Sequence, residues 1–406
     1  MTNAPDPRAS ARTIVFCVLG ALCEGFDVQA AGITAAGLSH ELHPTPQALG
    51  LFFGASGAGL MIGALIGGRA SDLVGRKAVL VASIAAFGIC SLLTSVAPDM
   101  QSLIGARFLT GLGLGGAMPN LLALAADVSG PNKRSGSIAT AYAGMPLGAV
   151  VGSLIVSATP LEAWRVVFQV GGAAPLVVVP LMIRYLPATA PASRGFTSAV
   201  ARRATAIHAL LGEGRAATTL LLWAAFFLLV LTLHLMLNWL PLLLMGRGLL
   251  KEHAAIAQAA FNVGGAATGL SVGVLLDSRW KRLTIGISLI SLPLILLFMA
   301  TSPPVPSLFI SLAFLLGGSI IAEQVILYAV TSASYALASR GTGMGSAIAV
   351  GRSGSLVGPL VAAGLLAAGR SPSQVLISVL PIVVACGAAV GVLGWRKLAV
   401  TTVPPS

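Results

Sequence analysis

Gly68-Arg69-Ala70-Ser71-Asp72-Leu73-Val74-Gly75-Arg76-Lys77 is matched 205 residues later by Gly273-Val274-Leu275-Leu276-Asp277-Ser278-Arg279-Trp280-Lys281-Arg282. The leading glycine, the aspartate and the closing basic pair fall in register. Each segment ends one apolar stretch and begins another, so the architecture is built twice. A duplication made of hydrophobic units points to a two-part membrane carrier with its substrate site between the halves.

The flanking sequence supplies the units. A bilayer core of about 30 Å takes roughly 20 apolar residues of helix. Spans are expected near 13–38, 46–69, 78–97, 102–125, 136–158 and 164–186, then near 217–244, 253–276, 283–301, 306–329, 340–368 and 373–395. The expected fold is all-α: twelve transmembrane helices in two pseudo-symmetric six-helix bundles, 1–186 and 217–406, joined by a cytoplasmic basic linker over 187–216. That linker carries Pro187, Pro191, Arg194, Arg202, Arg203, Glu213 and Arg215. Its middle, Thr197 to Leu211, reads either as a basic amphipathic helix on the inner membrane surface or as a solvated tether.

Composition agrees. An ordinary soluble domain is about 25% charged, whereas this chain is 9% charged and 56% hydrophobic, with a mean hydropathy of +0.93. The net charge of +12 raises the question of nucleic acid, but topology explains the basic residues better. With both termini inside, 18 of the 24 Lys and Arg fall on the cytoplasmic side. Arg165, Arg247, Lys251 and Arg370 fall outside, and Arg107 and Arg352 remain within spans. This asymmetry orients the chain. Cys17, Cys23, Cys90 and Cys386 lie in apolar spans with no pairing or metal-ligand spacing, and read as small packing residues. No metal and no cofactor are expected.

A second internal match sets Gly144, Gly148 and Gly152 of span five against Val350, Gly354 and Gly358 of span eleven. Glycines four apart clear one helix face for a neighbouring backbone. The two spans are therefore expected in equivalent positions, well placed to slide in a rocking movement. Pro146 and Pro359 mark local breaks.

Charges inside a bilayer need a reason, since one at the centre costs at least about 2.5–3.5 kcal/mol. Glu24 and Asp27, three apart in span one, share a helix face. Two acids there disfavour joint ionisation, as a proton-coupling site requires; the alternative is a structural lock to a basic group. Arg107 reads as the partner that modulates those acids, or as an arginine snorkelling to the outer surface. Arg352 lies deeper in its span, and its planar fork suits the carboxylate of an anionic substrate; a salt bridge to Glu323 is the other reading. Asn120, Tyr142, Asn238, Trp239, Gln324, Tyr328 and Glu323 complete the candidate substrate cavity, although each alone is more often packing. Gly68, Asp72, Gly75, Arg76 and Lys77 form a candidate conformational latch. In it, Asp72 is expected to pair with a helix terminus or with Arg76.

The duplicated twelve-span plan and the Gly68-to-Lys77 loop resemble the major facilitator superfamily. Within it the chain resembles the aromatic acid:proton symporters, through the acid-glycine-aromatic-Asp signature Glu24-Gly25-Phe26-Asp27. The hydroxyphenylpropionate branch of that family is the nearest in pattern, over Glu24 to Ile33, Arg107 to Asn120, Asn238 to Leu244 and Gly343 to Pro359. The resemblance implies a proton-coupled importer of a small aromatic carboxylate, of hydroxyphenylpropionate or hydroxybenzoate type, in a bacterial inner membrane. Its partners would be the aromatic acid anion, protons and the lipid bilayer; it would act as a monomer. Three departures stand out. Glu24 replaces the more common Asp, Leu73 stands where the loop usually has Arg, and Glu323 stands where relatives often have a small or neutral residue.

No phosphate-cradling loop ending in Lys-Ser/Thr is present, which argues against an ATP-driven pump. No metal-ligand cluster or nucleophile-base set stands out, which argues against a membrane enzyme. Export of a related organic acid, or a transporter-like receptor, are the alternative functions.

Overall fold

The computed structural model describes residues 7–129, 134–187, 210–212, 215–335 and 339–398. Most of the basic linker, with its candidate amphipathic helix, lies outside the described residues. Among those described, twelve long helices are apolar enough to cross a membrane. They are α1 (Pro7–Leu42), α2 (Pro46–Val74), α3 (Arg76–Val96), α4 (Met100–Asp127), α5 (Arg134–Ala158) and α6 (Trp164–Tyr185), then α7 (Ala216–Met245), α8 (Lys251–Leu276), α9 (Lys281–Thr301), α10 (Pro306–Ser334), α11 (Arg340–Ala367) and α12 (Pro372–Leu398). They fall where the hydropathy placed them, within a turn or two, because backbone groups in hydrocarbon must be satisfied inside the segment.

Local chemistry sets the ends. Thr45 caps α2 by accepting the Ala48 N–H at 3.2 Å, with Pro46 at the first helical position. Asp99 caps α4 by accepting the Ser102 N–H at 2.8 Å. Between α2 and α3 the chain reverses on Gly75 at φ +91°, a conformation open to glycine at little cost.

The duplication is visible in the packing. In the first six helices α1 lies on α5, α2 on α4 and α3 on α6; in the second six α7 lies on α11, α8 on α10 and α9 on α12. A Cβ at Gly148 would sit 1.9 Å from the Leu22 carbonyl oxygen of α1, and one at Gly358 would sit 2.3 Å from the Leu231 carbonyl oxygen of α7. The matched glycines of α5 and α11 thus clamp each helix to a neighbour within its own half.

Contacts between the halves run through α2 with α11, α5 with α8 and α1 with α7. The face bearing the first residues of α1 and the Gly75 turn is here called the near face, and the opposite one the far face. Toward the far face, α2 meets α11 closely: a Cβ on Gly50 would lie 2.4 Å from the Ala363 side chain, and one on Gly57 would lie 2.8 Å from Ser355 Oγ. Gly32 of α1 abuts the Leu237 carbonyl of α7, and Lys251 donates to the Thr159 carbonyl. Toward the near face the same helices part. A Cβ on Gly68 of α2, Gly136 of α5, Gly273 of α8 or Gly341 and Gly345 of α11 meets nothing within 4 Å. Among the described residues the halves meet on the far side and stand apart on the near side.

Candidate functional site

Two acids one helical turn apart have opposite surroundings. Asp27 is wholly buried and fully engaged: Arg107 Nη1 donates to its Oδ2 at 2.8 Å, and Ser91 Oγ donates to its Oδ1 at 2.8 Å. Arg107 Nη2 also donates to the Asp27 backbone carbonyl at 3.2 Å, and its guanidinium lies 5.7 Å from the Phe168 ring centre. Arg107 is 1% exposed, so it is buried rather than snorkelling. α1, α3, α4 and α6, all of one half, supply the group.

Glu24 faces the other way. It is buried, its Oε2 has no hydrogen-bond partner among the described residues, and Arg352 of α11 is the cation whose field acts on it. The field of Arg352 also reaches Tyr142 of α5, Tyr328 of α10 and His234 of α7. Among the described residues Arg352 has no carboxylate within 4.0 Å. The expected alternative bond to Glu323 is absent. A guanidinium with no carboxylate partner, in the field of an acid from the other half, has the chemistry to receive an anion.

Tyr142 and Tyr328 are 49% and 36% exposed although they interact at this depth, so they line open space rather than packed interior. Gln324 donates weakly to the Tyr328 hydroxyl at 3.4 Å, and the Tyr328 ring rests on Phe226 at 5.5 Å. This cluster of Glu24, Tyr142, Gln324, Tyr328 and Arg352 is what the structure brings together from the expected set.

Other expected residues stand apart. Asn120 is buried and donates to the Gly116 carbonyl one turn back, at 2.8 Å. Trp239 is a structural lock: its Nε1 donates to the Pro359 carbonyl at 3.0 Å, and its ring meets Phe53 edge to face. Glu323 points away from the cavity, with the Cys386 thiol 3.8 Å from its Oε2 and no partner for Oε1. A helix face carrying Gln324 and Tyr328 toward the cavity turns residue 323 toward α7 and α12. Asn238 donates to the His234 carbonyl at 2.7 Å and sits beside Gly32, in the far seal.

Two features escaped the sequence reading. His234 lies one turn below Asn238, donating from Nδ1 to the Val230 carbonyl at 3.0 Å; an isolated histidine among leucines was the only signal. Above it, Gln29 of α1 ties the halves together. Its Nε2 donates to the Leu237 carbonyl at 3.0 Å, and its Oε1 accepts from Asn262 at 3.2 Å and Gln258 at 3.3 Å. Gln29 lies within Glu24 to Ile33, but an uncharged side chain carries no bilayer cost that would single it out.

At the near face the loop makes different bonds from those expected. Arg76 pairs with Asp127 at the end of α4. Lys77 Nζ donates to the Ile183 and Leu186 carbonyls at 2.9 and 2.7 Å, at the negative end of α6. Asp72 is exposed and has no partner among the described residues. The Gly75 turn starts α3 with both basic residues beside the ends of α4 and α6, leaving Asp72 across the turn.

The sequence model for the Major Facilitator Superfamily matches residues 17–359. A 3-(3-hydroxyphenyl)propionate transporter of Escherichia coli is 38% identical, covering 98% of this chain and 97% of that protein. A 4-hydroxybenzoate transporter of Pseudomonas aeruginosa is 29% identical over 93% of this chain and 91% of its own. Among solved structures, a bacterial homolog of the human lysosomal transporter Spinster superposes with a TM-score of 0.81 at 14% identity, covering 98% of this chain and 100% of that one.

Proposed function

This chain belongs to the major facilitator superfamily, and on that premise we propose that it imports a small aromatic carboxylate together with a proton. It is a multi-pass membrane transporter, not an enzyme. The proposed substrate is of hydroxyphenylpropionate or hydroxybenzoate type, the classes named for the relatives. The excess of basic residues on the near face supports cytoplasmic termini in a bacterial inner membrane. That the candidate site is assembled from residues of one chain supports a working monomer.

The observation that carries this reading is Arg352, which has no carboxylate within 4.0 Å among the described residues and interacts with Glu24 across the divide. The substrate carboxylate takes the guanidinium fork, and the rings of Tyr142 and Tyr328 flank its body. Glu24 is the competitor. Ionised, it satisfies the field of Arg352 and holds the halves together without cargo; protonated, it releases Arg352 to the anion. The proton and the substrate then travel as a neutral set, which lowers the cost of carrying charge through a low-dielectric site. Asp27 and Arg107 position α1 against α4 beneath this exchange. The bundles 1–186 and 217–406 rock about the site, joined by the 187–216 linker, with the Gly68, Asp72, Gly75, Arg76 and Lys77 loop as the near-face latch.

The test is Glu24→Gln in proteoliposomes. Exchange of labelled for unlabelled 3-(3-hydroxyphenyl)propionate should persist, because substrate still binds and the halves still rock. Accumulation driven by an acid exterior should be lost. Retained acid-driven accumulation would remove Glu24 from the coupling, and no binding of any aromatic acid by the parent chain would remove the substrate class.

A further inference from the structure

The cavity has a polar end that the carboxylate site does not use. His234 lies on α7 between Arg352 and the far seal. Registers fix this depth. Gly354 of α11 packs between Phe227 and Leu231, which sets Arg352 near the level of residue 227, while Gly32 of α1 packs against Leu237 and Asn238. His234 is therefore about seven residues, on the order of 10 Å, deeper than the Arg352 backbone. It is still close enough for the two side chains to interact electrostatically. A backbone separation on the order of 10 Å along the helix is on the scale of a benzene ring carrying a substituent at each end.

The state of the imidazole follows from its partner. A carbonyl oxygen only accepts, so the contact from Nδ1 to the Val230 carbonyl at 3.0 Å places a hydrogen on Nδ1. In the neutral ring the lone pair then sits on Nε2, which has no partner among the described residues. His234 is only half-buried, and Asn238, on the same face one turn deeper, abuts α1. Nε2 is a hydrogen-bond acceptor toward the far end of the cavity, beyond the rings of Tyr142 and Tyr328.

We propose that His234 is a specificity-determining residue that accepts a hydrogen bond from a ring hydroxyl of the substrate. The inference rests on the aromatic-carboxylate reading and assigns the residue that reads the ring hydroxyl: the carboxylate on Arg352, the ring between the tyrosines, and the hydroxyl on Nε2. A site built to bond a hydroxyl discriminates strongly against the analogue that lacks it, because the acceptor is then left dry and unpaired.

Binding to the purified full chain decides the matter, using 4-hydroxybenzoate against benzoate and 3-(3-hydroxyphenyl)propionate against 3-phenylpropionate. The parent should prefer the hydroxylated member of at least one pair. His234→Phe keeps a ring and loses the acceptor, so that preference should fall roughly tenfold or more, mainly through weaker binding of the phenol. His234→Gln keeps an acceptor and should retain part of the preference. An unchanged preference in His234→Phe, or equal losses for both members of a pair, overturns the assignment. A parent that binds these acids with no preference for the hydroxyl sinks this inference alone; a parent that binds none of the four sinks the aromatic-acid reading with it.

Discussion

Asp27→Asn and Glu24→Gln are near-identical chemical changes one turn apart, and the structure assigns them opposite costs. Asp27 Oδ2 lies 2.8 Å from Arg107 Nη1, with both residues at most 1% exposed. At an effective dielectric of about 20 that separation corresponds to about 6 kcal/mol of gross attraction. Removing one member of a buried pair costs about 3–5 kcal/mol net, because the other charge is left uncompensated. Asparagine can still accept from Ser91, so the loss is confined to the Arg107 side. Glu24 Oε2 makes no hydrogen bond and forms no ion pair within 4.0 Å among the described residues, so Glu24→Gln removes little that holds the fold. Thermal unfolding of the purified variants in detergent separates the two: Asp27→Asn should unfold at a clearly lower temperature, with Glu24→Gln close to the parent. Arg107→Gln should be as damaging as Asp27→Asn, and the double variant should recover a large part of the loss, as groups acting as one unit do. Equal unfolding of Asp27→Asn and the parent, or equal damage from both single changes, would refute the division of roles.

Other changes test the cavity and its closures. Arg352→Lys keeps the charge and loses the fork, so binding of 3-(3-hydroxyphenyl)propionate measured by calorimetry should weaken about tenfold or more; unchanged affinity would move the anion site elsewhere. Gln29→Leu removes three polar links between the halves, so cysteines introduced beside Gly57 in a background without native cysteines should label faster from the far side. Gly345→Val adds bulk where nothing lies within 4 Å; substrate binding should survive while uptake falls, because near-face closure meets the new side chain.

The twelve helices and their duplication were legible because backbone satisfaction in lipid and the in-register Gly–Asp–basic loop act on sequence alone. The site was legible only in its charges. Glu24, Asp27, Arg107 and Arg352 drew notice because each is expensive in a bilayer, and Asp27 with Arg107 formed the pair that the sequence reading favoured. Which polar residues face the cavity was not legible, since Asn120 and Tyr142 look alike as isolated polar positions. One bonds its own helix and the other lines open space. Glu323 and Gln324 are adjacent in the chain and point into different surroundings, and only the packing of α10 against α7 and α12 decides between them. His234 was missed because leucines surround it and its partner is its own backbone.

Position relative to the dividing plane explains why the two intramembrane pairs have different work. Asp27, Ser91 and Arg107 all belong to the first six helices. If that bundle moves as a body, their mutual energy is nearly the same in both access states, and an interaction equal in two states shifts no equilibrium. Glu24 and Arg352 belong to opposite halves, so their attraction changes when the halves move. A proton on Glu24 therefore changes the energy difference between states, and a carboxylate on Arg352 does the same from the other side. On the proposed function, coupling needs an electrostatic term that crosses the hinge, and among the intramembrane charges of the described residues the Glu24–Arg352 interaction is the one proposed to supply it.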